Sequence, residues 1–188
     1  MASFSPKRVI REPSDGKLRE LILYISARLA DDPYFGDTKL NKVLFYSDFT
    51  AYVRLGKPIT SQRYVKQVYG PIVHQLLPVR QRMEENKECA IRKREIVTRT
   101  QTVTVPLRKA DLKLFSSDEI SIVDEMIEAI RPHTARDISD LSHNFVGWKL
   151  VDIGDEIPYE TVFLSDRELT PAEERWARNV WKSRRASS

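Results

Sequence analysis

A series of short amphipathic helix patterns, separated by helix-stop residues, constrains the fold of this chain most strongly. The first pattern begins at Ser14, a residue suited to cap a helix, and runs to about Ala30. The second begins at Asp37 or Thr38 and runs to about Leu55. Their inward faces are predicted to be formed by Leu18, Leu21, Ile22, Ile25, Leu29, Leu40, Val43, Leu44, Ser47 and Ala51. Several helices of this length favour a compact bundle.

The middle of the chain carries weaker signals. Residues 59–69 fit either a short helix or an extended segment. Gly70 and Pro71 predict a new helix that runs to about Asn86, because proline suits the first helical position. Pro78 lies inside that pattern and is expected to kink the helix or split it in two.

A change of composition marks residues 90–107, where valine and isoleucine mix with threonine, as is typical of β-strands. The simplest interpretation is a β-hairpin that turns near residues 99–101, although no Asn-Gly or Asp-Gly pair marks the turn. The predicted fold is therefore mainly α with a small β-hairpin, arranged as a compact, single-domain helical bundle.

Capping signals predict three further helices. Residues 116–119 (SSDE) form a capping box, and residues 134–137 (TARD) begin a helix that Gly147 and Trp148 are expected to close. Residues 170–173 (TPAE) begin a last helix. The inward residues of the first two are predicted to be Ile120, Val123, Met126, Ile127, Ile130, Ile138, Leu141 and Phe145.

The 188 residues are expected to form one domain over residues 14–166. A flexible arm (1–13) precedes it, and an amphipathic helix with a basic tail (167–188) follows it. The single cysteine, Cys89, excludes an internal disulfide and is typical of a reducing compartment. No apolar segment has the length of a signal peptide or a membrane span, so we expect a cytoplasmic protein with no membrane partner.

Charge is segregated along the chain. Residues 1–109 hold 21 Lys and Arg against 11 Asp and Glu, whereas residues 110–174 hold 5 against 16. Such blocks are either solvated faces or patches that steer an oppositely charged partner.

Residues typical of catalytic or cofactor sites do not cluster in this sequence. The six glycines never group into a phosphate-binding loop, and three histidines with one cysteine match no zinc site. Ser142 and His143 are sequence neighbours, which point apart on a helix. We therefore predict that the protein is not an enzyme and uses no cofactor or metal.

A DNA-binding transcriptional regulator, associated with a phage or an operon, is the alternative function. The two helices after the hairpin could form a winged-helix-like unit with it. The second of these helices carries Asp137 and Asp140, however, and carboxylates repel the phosphate backbone. Nucleic acid is therefore not an expected partner.

Four short motifs occur in order: residues 38–48 (TKLNKVLFYSD), residues 69–73 (YGPIV), residues 141–143 (LSH) followed by Trp148, and residues 157–160 (IPYE). Together they resemble the Panacea domain of bacterial SocA-like antitoxins and phage-associated GepA-like proteins. The resemblance implies an antitoxin that neutralises a cognate toxin protein by direct binding. In SocA-like members it also implies delivery of the toxin to a ClpXP-type protease. It brings no catalytic residue and leaves the oligomeric state open.

Two groups of residues are predicted to bind the partner. The motifs supply the first group, which consists of Tyr69, Gly70, Pro71, His74, His143 and Trp148. The last helix supplies the second group, Trp176, Arg178 and Trp181, because aromatic side chains near arginine dominate binding energies. The motif residues also have a purely structural interpretation as core and backbone devices, and the sequence leaves both interpretations open.

Overall fold

The structure, a computed structural model, describes residues 12–96 and 99–164 together with Arg175, and for Ile96 and Arg99 it describes the backbone alone. The described residues form six α-helices and two separate two-stranded antiparallel sheets. The helices are α1 (Asp15–Arg28), α2 (Asp37–Leu55), α3 (Leu76–Glu85), α4 (Ser117–Ile130), α5 (Ala135–Ser142) and α6 (Val146–Leu150). The strands are β1 (Tyr64–Gln67), β2 (Gly70–Val73), β3 (Cys89–Ile96) and β4 (Arg99–Pro106), and 3₁₀ turns occur at Leu112–Leu114 and Tyr159–Phe163. This architecture confirms the mainly α fold with a small hairpin.

Helices α1 and α2 form the centre of the domain. Ser14 caps α1, where its hydroxyl accepts a hydrogen bond from the amide of Lys17 at 3.2 Å. The capping prediction for α2 was wrong: Gly36 precedes the helix without a side-chain cap, and Asp37 is its first residue. Gly56, with φ at +73°, ends α2 in the left-handed conformation that favours glycine. All ten residues predicted to face inward from these two helices are buried.

The segment around Gly70 forms a hairpin, so the prediction of a helix starting at Gly70 and Pro71 was wrong. Strands β1 and β2 pair from Tyr64 opposite Val73 to Gln67 opposite Gly70. Gln67 and Gly70 close the two-residue turn, and Pro71 belongs to the next pair, opposite Lys66. Residues of that pair do not hydrogen-bond to each other, so the missing amide of Pro71 costs the sheet no hydrogen bond.

Helix α3 begins later than predicted, at Leu76. Pro78 then lies in its first turn, where amide groups have no acceptor within the helix. The predicted kink or split therefore does not occur: α3 is a continuous helix to Glu85.

The second hairpin confirms the strands predicted for residues 90–107. Residues 99–101, where the turn is predicted, belong to strand β4, and Arg99 pairs with Ile96. The register pairs Cys89 with Pro106 at the far end of the hairpin.

Both late capping boxes are present. Ser116 with Glu119 opens α4, and Thr134 with Asp137 opens α5. Helix α5 ends earlier than predicted, at Ser142, and Leu141 is 53% exposed rather than inward.

Gly147 and Trp148 belong to the separate helix α6, so they do not close the preceding helix as predicted. Gly147 is packed against the 3₁₀ turn that follows, where a Cβ on it would overlap the hydroxyl of Thr161. Of the other inward predictions for α4 and α5, Ile120, Met126 and Phe145 are half-buried, and Val123, Ile127, Ile130 and Ile138 are buried.

An aromatic cluster joins α2 to the end of the described domain. The rings of Phe45 and Phe49 lie 4.3 Å apart, and Phe49 lies 4.7 Å from Tyr159 between ring centroids. Tyr64 and Phe145 contact the same rings edge-on. The core therefore draws on residues from α2, β1, the start of α6 and the last 3₁₀ turn. No helix among the described residues is long and apolar enough to cross a membrane.

Candidate partner-binding surface

Besides the hydroxyl of Ser47, helix α2 buries four larger polar side chains, Lys39, Asn41, Lys42 and Asp48. Apolar residues surround the helix on more than one face, so polar residues between them are buried as well. A buried polar group costs free energy unless it finds a partner, and these four larger side chains find theirs in other segments of the chain.

Lys39 ties α2 to the loop before it and to α4. Its ammonium nitrogen lies 2.6 Å from a carboxylate oxygen of Asp32 and 2.9 Å from the backbone carbonyl oxygen of Arg131. Both side chains of the Lys39–Asp32 ion pair are buried. Breaking such a pair is costly, because it leaves one charge buried alone.

Asp48 organises the segment between α2 and β1. Its carboxylate accepts hydrogen bonds from the amides of Ile59 and Thr60, both at 2.8 Å, and from the hydroxyl of Thr60. It also accepts from the phenol group of Tyr64 at 2.9 Å. The phenol group of Tyr159 shares its single proton between Asp48 at 3.3 Å and the carbonyl oxygen of Gln62 at 2.7 Å. Burial raises the pKa of Asp48, an effect that these hydrogen bonds oppose.

Asn41 and Lys42 hold the β1–β2 hairpin. The Asn41 side-chain oxygen accepts from the amide of Val73 at 2.9 Å. The ammonium group of Lys42 donates to the carbonyl oxygens of Tyr69 at 2.8 Å and Pro71 at 3.0 Å. Burial lowers the pKa of Lys42 to about 7.

Gly70 lies between the two carbonyls that Lys42 binds. Its φ of +93° is one that residues with a side chain rarely adopt. A Cβ at this position would overlap the hydroxyl oxygen of Ser142 and lie 2.8 Å from the Lys42 nitrogen. The Ser142 hydroxyl is itself fixed, since it donates to the carbonyl oxygen of Ser139 at 2.7 Å. Position 70 therefore requires glycine for two independent reasons.

The two residues at the end of this hairpin, Val68 and Tyr69, are named here the turn tip. Val68 is 62% exposed and Tyr69 is 72% exposed. A concavity of about 570 Å³ lies on one side of the tip, with Arg136, Asp140 and His143 of the α5 region in its wall. A second concavity of about 330 Å³ also includes Tyr69, and its wall is formed by Lys42, Asn41, Gln67, His74 and Leu77.

Trp148 lies behind the turn tip in a stack of three side chains. Its ring packs on that of His143 with 4.2 Å between centroids, and the Lys66 ammonium lies 4.2 Å from its ring centroid. The Trp148 indole N–H donates to the carbonyl oxygen of Gln67 at 3.3 Å. Lys66 in turn donates to the carbonyl oxygen of Val151 at 2.7 Å. This stack joins α6 to β1.

The structure thus brings most of the first predicted group together. Tyr69, Gly70 and Pro71 form the turn, and His143 and Trp148 pack beside it, while His74 is exposed at the far end of the second concavity. The second predicted group, Trp176, Arg178 and Trp181, lies outside the described residues.

Sequence reasoning missed Lys42, Asn41 and the exposed Val68. The available signal for the first two was the spread of apolar residues around α2, which leaves no wide polar face for them. Within the described part of the chain, no three His, Cys, Asp or Glu side chains are grouped closely enough to hold a metal ion.

A comparison with known protein families identifies a match. Residues 40–149 match the family described as antitoxin SocA-like, Panacea domain. This segment contains α2 from Leu40 onward, both hairpins, α3, α4 and α5, and most of α6. No curated protein and no solved structure matches the chain significantly.

Proposed function

Because the chain belongs to the SocA-like antitoxin family with a Panacea domain, we propose that it neutralises a cognate toxin protein by binding it directly. Membership of this family supports a role in a toxin–antitoxin system and a mode of action without catalysis. The proposal adds that neutralisation is stoichiometric and that the partner is a protein.

The observation that carries the proposal is the exposed turn tip. Tyr69 presents a large side chain with an apolar ring and a polar hydroxyl to solvent, on a turn whose backbone is fixed from below by Lys42. Tyrosine is among the residues that dominate binding energy at protein interfaces, because it buries much area at a low entropy cost. The concavities on either side of it offer space for partner side chains.

The surroundings of the tip suit a protein partner. Leu77, which is 61% exposed, extends the apolar surface, while Arg136, Asp140 and His74 supply polar groups around it. An apolar centre within a polar rim is typical of protein interfaces. Delivery of the bound toxin to a ClpXP-type protease is a further step of the same proposal, which predicts a shorter toxin half-life when both proteins are present.

Co-expression with the neighbouring reading frame tests the proposed function. The product of that frame should arrest growth when expressed alone, and growth should recover when this protein is co-expressed. The two proteins should also co-purify. A harmless neighbouring product, or a pair that never associates, would count against the antitoxin function.

Two substitutions then locate the binding surface. Tyr69→Ala should weaken the complex by about tenfold or more, the range of an interface hot spot. Leu107→Ala serves as the matched control, because Leu107 is 58% exposed but lines neither concavity beside the tip. Equal effects of the two substitutions would show that the toxin binds elsewhere.

A further inference from the structure

We propose that Lys42 is a positioning residue that holds the turn tip in the conformation that binds the partner. The proposal deepens the proposed function and rests on it, since it concerns the same surface. Lys42 itself is 1% exposed, so although it contributes to the wall of the second concavity it offers a partner almost no surface of its own. Its effect on binding therefore passes through the backbone of the turn.

The hydrogen-bond pattern of the hairpin explains why the turn needs Lys42. Gln67 and Gly70 form the pair that closes the two-residue turn, and the next pair is Lys66 with Pro71. In an antiparallel ladder, groups at alternate pairs point away from the partner strand. The carbonyl of Pro71 is such a group, and the carbonyl of Tyr69 lies in the turn itself. Lys42 supplies the donors that the ladder does not provide.

Removal of these donors would leave the buried carbonyl of Pro71 and the partly buried carbonyl of Tyr69 without their Lys42 partner. Both carbonyls would then gain free energy by rotating toward water, because an unsatisfied buried acceptor costs far more than a hydrated one. Any such rotation changes the backbone on both sides of Gly70. Gly70 is the residue least able to resist it, since glycine has no side chain to limit its dihedral angles.

The position of Tyr69 depends on that backbone and hardly at all on its own side chain. With 72% of its surface exposed, Tyr69 has little packing of its own to hold it in place. Lys42 extends from α2, whose other polar side chains attach that helix to the rest of the domain. The lysine therefore fixes the tip relative to the core.

The chain offers a matched control in Lys39. This residue is as deeply buried as Lys42 and lies on the same helix, but it donates to Asp32 and to the carbonyl of Arg131. Lys39→Met removes a buried ammonium without touching the turn. A general effect of losing a buried lysine should appear in both variants, whereas an effect of positioning should appear in Lys42→Met alone.

The first test needs no partner. Hydrogen–deuterium exchange is measured on the full chain for the wild type, Lys42→Met and Lys39→Met. In Lys42→Met the amides of Gly70 and Ile72 should exchange about tenfold faster or more, the effect of losing one or two hydrogen bonds, relative to the amides of α1. Unchanged exchange at the turn, or an equal increase throughout the core, would overturn the proposal.

The second test is a double-mutant cycle of Lys42→Met with Tyr69→Ala, read as affinity for the toxin encoded by the neighbouring frame. Alone, Lys42→Met should weaken binding about tenfold, because the backbone of the turn must then be ordered when the partner binds. In the Tyr69→Ala background it should change affinity by less than about twofold, because a residue that acts through Tyr69 has nothing left to position. Additive effects would overturn the positioning role.

The two tests separate this proposal from the proposed function. If the wild type does not bind the toxin, the proposed function fails and the binding role of Lys42 fails with it, although the exchange result still decides whether Lys42 holds the turn. If Lys42→Met does not fold, native-state exchange of the wild type replaces it. The Gly70 and Ile72 amides should then exchange as slowly as those of α2, and fast exchange at the turn would overturn the proposal.

Discussion

Gly70 and Ser142 are packed so closely that a Cβ on Gly70 would overlap the Ser142 hydroxyl oxygen. The two residues come from the β1–β2 hairpin and the last turn of α5, elements that are far apart in the sequence. Their contact sets the distance between the turn tip and the α5 side of the larger concavity.

This contact predicts a large effect for Gly70→Ala. The substitution should lower the free energy of unfolding by about 2 kcal/mol or more, because a strained φ and a steric overlap act together. Gly154→Ala is the matched control: Gly154 also has a φ of +93°, but nothing lies within 4 Å of its ideal Cβ position. Gly154→Ala should lower the free energy of unfolding by only about 1 kcal/mol, because the unfavourable φ is its only cost. Denaturant unfolding measures both, and equal losses would contradict the packing argument.

The stability of the protein should rise with pH because of Lys42. Burial lowers the pKa of this lysine from its ordinary value of 10.5 to about 7 in the folded state. Between these values the unfolded chain binds more protons than the folded one, so raising the pH favours folding. Below about pH 7 both states are protonated and the penalty for burying the charge is complete.

The contribution of Lys42 should amount to about 1.4 kcal/mol per pH unit above pH 7. Urea unfolding of the wild type and of Lys42→Met, measured from pH 7 to pH 9, isolates this contribution as the difference between their slopes. Parallel slopes would mean that Lys42 keeps an ordinary pKa in the folded protein.

Asp48→Asn should destabilise the fold strongly. One carboxylate oxygen of Asp48 accepts from the hydroxyls of Thr60, Tyr64 and Tyr159. In Asp48→Asn the side-chain NH₂ group would face N–H or O–H donors instead of acceptors. The free energy of unfolding should therefore fall by about 2–4 kcal/mol. Asp124→Asn is the control, since Asp124 is half-exposed and its loss should cost about 1 kcal/mol or less. Thermal unfolding that ranks the two variants in the opposite order would contradict the assigned role of Asp48.

Specific binding to promoter DNA is not expected. Helix α5 would have to enter the major groove, but it presents the exposed carboxylates of Asp137 and Asp140 beside a single arginine, Arg136. Hydrogen bonds from Thr134 lower the pKa of Asp137, so it stays charged. A gel-shift assay at physiological salt, with DNA from the promoter of the operon that encodes this protein, measures specific binding. A sequence-specific complex there would favour the transcriptional regulator over the antitoxin.

The parts of the fold that local rules govern could be predicted from the sequence. The capping boxes at Ser116 and Thr134 join residues three positions apart, so the information for them lies within one turn of helix. The apolar faces of α1 and α2 likewise follow from spacing alone.

The hairpin at Gly70 could not be predicted in this way. Its local sequence, glycine followed by proline, suits the start of a helix as well as a turn. What decides between them is Lys42, 28 positions earlier in the chain, together with Ser142. The candidate site shares this property: the motif residues are visible in the sequence, but nothing near Lys42 in the sequence shows that it bonds to the hairpin.

Buried polar side chains of α2 bond to residues that lie much later in the sequence, and this affects when the nascent chain can complete its fold. Asp48 accepts a hydrogen bond from Tyr159, and Lys39 donates one to the carbonyl of Arg131. Both partners are synthesised long after α2. Until those late residues emerge, the Lys39 ammonium can pair with Asp32 but lacks the second of its two acceptors. The hydrogen bonds of α2 are therefore complete only after the last 3₁₀ turn has been synthesised.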